Sequence, residues 1–399
     1  MNYIKRYYTY IICVAKLFLA YICVIAYKKH LYKKNIWLIQ EKHTEARDNG
    51  YFFFKYLRTT HPELNVFFSI TTDSVDKRNV EIFGNIIKAD SLQHYIYYLS
   101  AKYNIGSQPF GACPHPVYWV HKFKFLCRKD QKVIFLQHGV IKDAINGLKY
   151  SNTHFDLFTC SAVPEYKFVC DYFGYSPYNA KLLGLCRYDN LHNFVTEKKI
   201  IVMPTFRKWL TANNRECDAT NVECEKFKQS VFFKYYSTLL SDKSLFTALS
   251  EHDYQLIFYL HYSLQSYTKV FDNYCNNNII IASRNNYNIQ ELLKTGAVLV
   301  TDYSSVAFDF AYMEKPVIYF QFDEDDFRSM HYQKGYFDYH RDGFGPVFKN
   351  VDDVVDHLNK RMDTDYEMEH PYKQRAEEFF TLRDSNNCLR HYEAIIELK

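Results

Sequence analysis

Short runs of β-branched and apolar residues recur along the chain, each followed by a longer amphipathic stretch, and this alternation constrains the fold more than any other feature. The first series comprises residues 36–40, 65–71, 85–88, 132–137, 156–160 and 181–185; the second comprises 199–203, 255–260, 278–282, 297–301 and 316–320. A strand followed by a helical stretch is the βα unit of a parallel sheet, because parallel neighbours need a crossover long enough to return the chain. The polar stretch 187–198 separates the two series and reads as a hinge. The expected architecture is therefore α/β, with two Rossmann-type domains over residues 35–190 and 191–399 facing a cleft. Residues 211–225 read as a loop and 366–390 as a terminal helical region.

Charge is distributed unevenly. Of 49 basic residues against 45 acidic ones, seven (Lys5, Arg6, Lys16, Lys28, Lys29, Lys33 and Lys34) precede the first acid, Glu41, so the remaining body is slightly acidic. That argues against a nucleic-acid partner, whose footprint is a basic face on the folded body. With 12 Gly and neither a Walker A sequence nor G-x-G-x-x-G, the common nucleotide-phosphate cradles are absent. The 11 Cys are never spaced C-x-x-C, which reads as reduced thiols in a cytosolic compartment, without a zinc site and with no metal or cofactor expected.

Residues 7–27 are almost wholly apolar, and a helix of that length reaches roughly 31 Å, about the hydrocarbon thickness of a bilayer. Lys16 stands near its middle, where a charge costs about 2.5–3.5 kcal/mol on insertion scales. A helix lying in the interface, with its Lys cluster facing anionic lipid, is the alternative. Residues 1–34 are thus expected to attach the chain to a membrane, peripherally or as a single pass, with the body in the cytoplasm.

Ligands of parallel sheets sit outside the carboxyl ends of the strands. Just past those ends stand His138 and Gly139, Thr205 and Arg207, His261, and Asp302, Ser304 and Ser305. A neutral imidazole at His138 can accept a proton from an attacking hydroxyl, and Gly139 would let the chain turn sharply beside it. Asp143, five residues on, could orient that ring or could be a surface charge. The guanidinium of Arg207 suits a phosphate, His261 could add a donor, and Ser304 and Ser305 open a helix, where amides attract anions but Ser is also an ordinary cap. Asp309, one turn later, could bind a polyol hydroxyl or be solvated.

In order along the chain, Asp48-Asn49-Gly50, Gln137-His138-Gly139, Gly184-Leu185-Cys186-Arg187-Tyr188-Asp189, Pro204-Thr205-Phe206-Arg207, His261 and VTDYSSVAFDFAYMEKPVIYFQFDEDDF (residues 300–327) resemble the CDP-glycerol glycerophosphotransferases of bacterial teichoic acid and capsule synthesis. The resemblance implies a GT-B-like fold, association with the inner membrane surface, and transfer of glycerol phosphate from CDP-glycerol to a lipid-linked glycan or polyol-phosphate acceptor, releasing CMP. It implies His138 as general base, Arg207, Thr205, His261, Ser304 and Ser305 on the donor diphosphate, Asp302 and Asp309 supporting the donor, and Asp48, Asn49 and Gly139 on the acceptor side. Val140-Ile141-Lys142-Asp143 after His138-Gly139, Tyr262 after His261, and Phe206 depart from the family's usual residues and leave the acceptor and the polyol, glycerol or ribitol, open. The runner-up activity is a GT-B nucleotide-sugar glycosyltransferase using Asp302 and Asp309. The oligomeric state is left open.

Overall fold

The computed structural model describes residues 3–115, 124–212, 218–364 and 366–398. The chain forms two compact units, one from Met1–Val140, Asn146–Asn190 and Asp384–Lys399, the other from Ile141–Ile145 and Leu191–Arg383.

The first unit holds a seven-stranded sheet in the order β3-β2-β1-β4-β5-β6-β7. Its strands are β1 (Trp37–Gln40), β2 (Val66–Ile70), β3 (Ile86–Lys88), β4 (Tyr103–Gly106), β5 (Lys132–Phe135), β6 (Leu157–Cys160) and β7 (Ala180–Leu182). The second unit holds a six-stranded sheet in the order β10-β9-β8-β11-β12-β13, from β8 (Lys199–Val202), β9 (Gln255–Tyr259), β10 (Ile279–Ala282), β11 (Val298–Thr301), β12 (Val317–Phe320) and β13 (Val347–Phe348). The pairings in both sheets are parallel. Helices cover both faces, so the central strands are buried throughout and read as continuous apolar runs.

Every strand expected from the sequence is present, and two more appear among the described residues. The β4 strand escapes notice because Asn104 and Gly106 interrupt its apolar run. Asn104 is buried at no great cost because its Oδ1 accepts the Ala112 N–H at 2.8 Å. Gly106 must lack a side chain, since a Cβ there would lie 2.5 Å from Gly111 Cα. The β13 strand has only two residues, too few to show a period.

Three expectations about organisation need correction. Residues 221–225 of the expected loop belong to the helix Asn221–Lys228, opened by a reciprocal capping box between Thr220 and Glu223; residues 213–217 lie outside the described residues. The last helix, Asn387–Ile396, belongs to the first unit rather than to a 191–399 domain. It buries Cys388, His391 and Ile395, and Asp189 caps it by accepting the N–H groups of Asn387 and Cys388, both at 2.8 Å. Nor is the amino-terminal segment separate: helix Tyr3–Ala26 packs on Leu92–Ser100 through buried Cys13, Leu17, Ala20 and Val24.

Asp189→Ala removes the remote cap of the last helix, and we expect it to destabilise the first unit by about 1–3 kcal/mol. A denaturant midpoint equal to the parent's would show that the helix is held by its apolar face alone.

Candidate functional site

A ligand crevice in a parallel sheet forms where the strand order reverses. In the first unit that point lies beside β1 and β4, and in the second beside β8 and β11.

In the first unit the chain leaves β1 at Glu41, whose buried carboxylate accepts the N–H groups of Arg47 at 2.9 Å, Asp48 at 2.8 Å and Tyr51 at 2.7 Å. This folds the loop back and starts helix Asn49–Thr60 beside the strand ends. Gly50 is needed there, since a Cβ would meet Glu41 Cγ at 2.8 Å. Asn49, expected to face an acceptor, is fully buried; its amide donates to the Gln137 carbonyl at 2.8 Å and accepts the Arg187 N–H at 3.0 Å. Asp48 caps its helix with no side-chain bond because its carboxylate pairs with Arg187 Nη1 at 2.7 Å.

His138 follows β5 with its ring exposed, the one expected site residue of this unit that presents an open polar face. The sharp turn before it falls on Gln137, at φ 62°, and not on the glycine to which the sequence pointed. A non-glycine residue adopts that backbone only when its surroundings over-determine it. Here the Gln137 side chain donates to the Thr159 carbonyl and, at 3.2 Å, to Glu165 Oε1, while its own carbonyl is held by Asn49. The open ring is nevertheless set among dense strand ends. Loss of hydration draws its pKa below the usual 6.5, opposed by the Asp48 charge and a bond with the Ser107 main chain and reinforced by Arg187 and Lys42. Neutral imidazole therefore dominates near neutral pH.

In the second unit Asp302 and Arg207 form the fixed centre. Asp302 Oδ1 accepts the Thr205 N–H at 2.8 Å and the Tyr303 N–H at 2.5 Å, tying the ends of β8 and β11 together. Arg207 is wholly buried: Nε and Nη2 bind Asp323 at 2.7 and 2.8 Å, while Nη1 donates to the Thr205 carbonyl at 2.7 Å and lies 2.9 Å from Asp302 Oδ2. The two carboxylates hold its pKa above the ordinary guanidinium value despite the burial that opposes it. The expectation that Arg207 grips a phosphate is thus corrected, because its fork is spent on two buried acids and solvent does not reach it. Asp323, its second partner, was not singled out from the sequence; a carboxylate just past β12 was the available signal.

What this unit leaves accessible is smaller. His261 is half-buried, accepts the Ser263 N–H through Nδ1 at 3.1 Å and stacks on Phe206 at 4.6 Å, which puts the proton of the neutral ring on Nε2. Ser304 and Ser305 are half-buried ahead of helix Val306–Tyr312, and Ser305 makes no side-chain capping bond. Thr205 is buried, and its Oγ1 has no hydrogen-bond partner among the described residues. Asp309 is buried rather than solvated. Asp143, expected to orient the His138 ring, is engaged by Lys142 and by Arg328 Nη1 at 2.7 Å; two cations at its oxygens, outweighing burial, keep it below the usual carboxylate range. The carboxylate acting on His138 is Asp48.

A model of the family described as CDP-Glycerol:Poly(glycerophosphate) glycerophosphotransferase matches residues 21–397. The chain belongs to this family. It is 32% identical over 373 residues to the minor teichoic acid biosynthesis protein GgaB of Bacillus subtilis (strain 168), a match covering 92% of this chain and 40% of GgaB. A 68-residue stretch is 43% identical to the teichoic acid poly(ribitol-phosphate) polymerase of Bacillus spizizenii, covering 17% of this chain and 10% of that protein. The chain thus spans less than half the length of these relatives. Among solved structures, wall teichoic acid polymerase TagF, in its H444N form with CDPG, superposes with a TM-score of 0.67 at 16% identity, covering 98% of this chain and 99% of that one. At that identity the likeness establishes the shared fold.

Arg207→Leu leaves Asp302 and Asp323 buried without their cation, and we expect a loss of about 3–5 kcal/mol in chemical denaturation of the second unit. Ser305→Ala should stay within about 0.5 kcal/mol of the parent. A stable Arg207→Leu protein would return that guanidinium to the list of available phosphate ligands.

Proposed function

We propose that the chain transfers glycerol phosphate from CDP-glycerol to a hydroxyl of a membrane-linked glycan or polyol-phosphate acceptor in teichoic acid synthesis, releasing CMP. The observation that carries this reading is the open, neutral imidazole of His138 at the switch-point edge of a chain belonging to this family. The ring takes the proton of the acceptor hydroxyl as its oxygen attacks the β-phosphorus. The bond from that phosphorus to the bridging oxygen breaks, and CMP leaves with the electron pair. His261, Ser304 and Ser305 supply donors for the diphosphate oxygens, while the Thr205 hydroxyl is closed to solvent. Asp302, assisted by the buried Arg207, holds the loops that carry them, and no metal or cofactor is assigned.

A second reading, CDP-ribitol as donor, is favoured by the 43% identical stretch shared with a poly(ribitol-phosphate) polymerase. The glycosyltransferase alternative loses ground because Asp302 is committed to Arg207 and two main-chain amides.

The same reading places the chain on the cytoplasmic face of the membrane, with helix Tyr3–Ala26 lying in the interface. Lys16 supports an in-plane position because it turns inward, its Nζ donating to the Asp90 carbonyl at 2.7 Å. The opposite face exposes Tyr8, Ile11, Phe18, Leu19, Ile22 and Ile25, an apolar stripe that suits the acyl boundary. Lys28, Lys29, Lys33 and Lys34 follow it, where anionic headgroups would lie.

His138→Ala is expected to lower CMP release by roughly 10²–10⁴-fold while donor binding persists; unchanged turnover contradicts the assignment. Since protonated imidazole cannot act as base, log kcat/KM should rise with pH to a break below 6.5 and stay level above it. A break above pH 7 would assign the titration to another group. Phe18→Glu with Ile22→Glu should abolish co-sedimentation with anionic vesicles, and undiminished co-sedimentation would remove the helix from the membrane contact.

A further inference from the structure

Arg187 is a buried cation of the first unit that the mechanism above does not use. We infer that Arg187 is a positioning residue for the base, its guanidinium fixing the main chain of His138 and thereby the aim of the imidazole. The inference rests on the reading of His138 as the base.

The geometry is specific. Arg187 is 3% exposed and sits in the turn Cys186–Asn190 that follows β7. Its Nη1 donates to the His138 carbonyl at 3.0 Å and to Asp48 Oδ1 at 2.7 Å, and its main-chain N–H donates to Asn49 Oδ1 at 3.0 Å. Asn49 in turn holds the Gln137 carbonyl at 2.8 Å. Two successive carbonyls, those of Gln137 and His138, are thus clamped by groups from the turn after β7 and the helix after β1. The clamped dipeptide includes the left-handed Gln137, the backbone that most needs external restraint. Asp48 forgoes the capping bond its position would allow, so its commitment to Arg187 is at the expense of helix Asn49–Thr60.

The charge on this clamp also reaches the ring. The groups acting on His138 are Asp48 from the start of helix Asn49–Thr60, Arg187 from the turn after β7, Lys42 from the loop after β1, and the Ser107 main chain beyond β4. Arg187 and Asp48 act with opposite sign. Removing the cation therefore raises the affinity of the ring for a proton, and removing the carboxylate lowers it. A lysine at 187 keeps the charge but not the planar array of donors.

The test compares Arg187→Gln, Arg187→Lys and Asp48→Asn in the full chain with two readouts. One is CMP release from CDP-glycerol. The other, independent of turnover, is the pH midpoint of diethyl pyrocarbonate labelling at His138, read by peptide mass spectrometry without substrate. Arg187→Gln should lose roughly 10- to 100-fold in kcat with KM for CDP-glycerol little changed, and its labelling midpoint should move up. Asp48→Asn should move the midpoint down, and Arg187→Lys should recover part of kcat with a midpoint near the parent's. Loss of fold would carry midpoints towards the same free-imidazole value, so opposite shifts identify the ion pair. Should Arg187→Gln not fold, the other two variants decide: parental kcat and midpoint in both overturn the proposal. If the parent chain releases no CMP from CDP-glycerol, the functional reading fails, while the labelling midpoints still decide whether the pair acts on His138.

Discussion

A parallel sheet delivers the carboxyl ends of all its strands to one edge, and the main-chain groups there have no ladder partners left. Each unit must therefore fasten that edge with polar side chains, and the chemistry available to a ligand is what remains once the fastening is done. In the first unit Glu41, Asn49 and Arg187 do this work. In the second, Asp302 ties two loops and is neutralised by Arg207, which Asp323 holds from the other side. A buried charge must be paired, and a cation with two buried anions cannot also serve a substrate.

This constraint explains which parts of the site could be read from the sequence. The strands were legible because each is buried on both faces and spelled in apolar runs, and β4 was not because its Asn104 is satisfied only through tertiary structure. His138 could be singled out as a candidate because its position after β5 is a matter of order along the chain. Arg207 occupies an equally suggestive position, yet its role turns on Asp323, 116 residues away, and no spacing rule reports that pairing. Arg187 stood in a recognisable motif without a role for the same reason: its partners Asp48 and His138 come from distant loops. Asp143 illustrates the reverse error, in which closeness in sequence suggested a partnership that Lys142 and Arg328 pre-empt.

The amino-terminal helix shows how packing bears on an ambiguity that composition leaves open, and it supports the interfacial position proposed above. Its length and apolarity suit a span as well as an interfacial helix. Once Cys13, Leu17, Ala20 and Val24 are committed to the protein and Lys16 has found the Asp90 carbonyl, only one face is left for lipid. A basic foot on a slightly acidic body then bears on the proposed membrane position rather than on a nucleic-acid partner.

The fate of one phosphorus atom tests the account most directly. With CDP-glycerol labelled at the β-phosphate and a membrane-linked acceptor, direct attack by the acceptor hydroxyl with His138 as base requires the label to appear in the acceptor product and the released CMP to be unlabelled. Release of labelled CDP instead would mean that the bond broken lies on the polyol side of the diphosphate, and would contradict the transfer of glycerol phosphate on which the whole reading of the site depends.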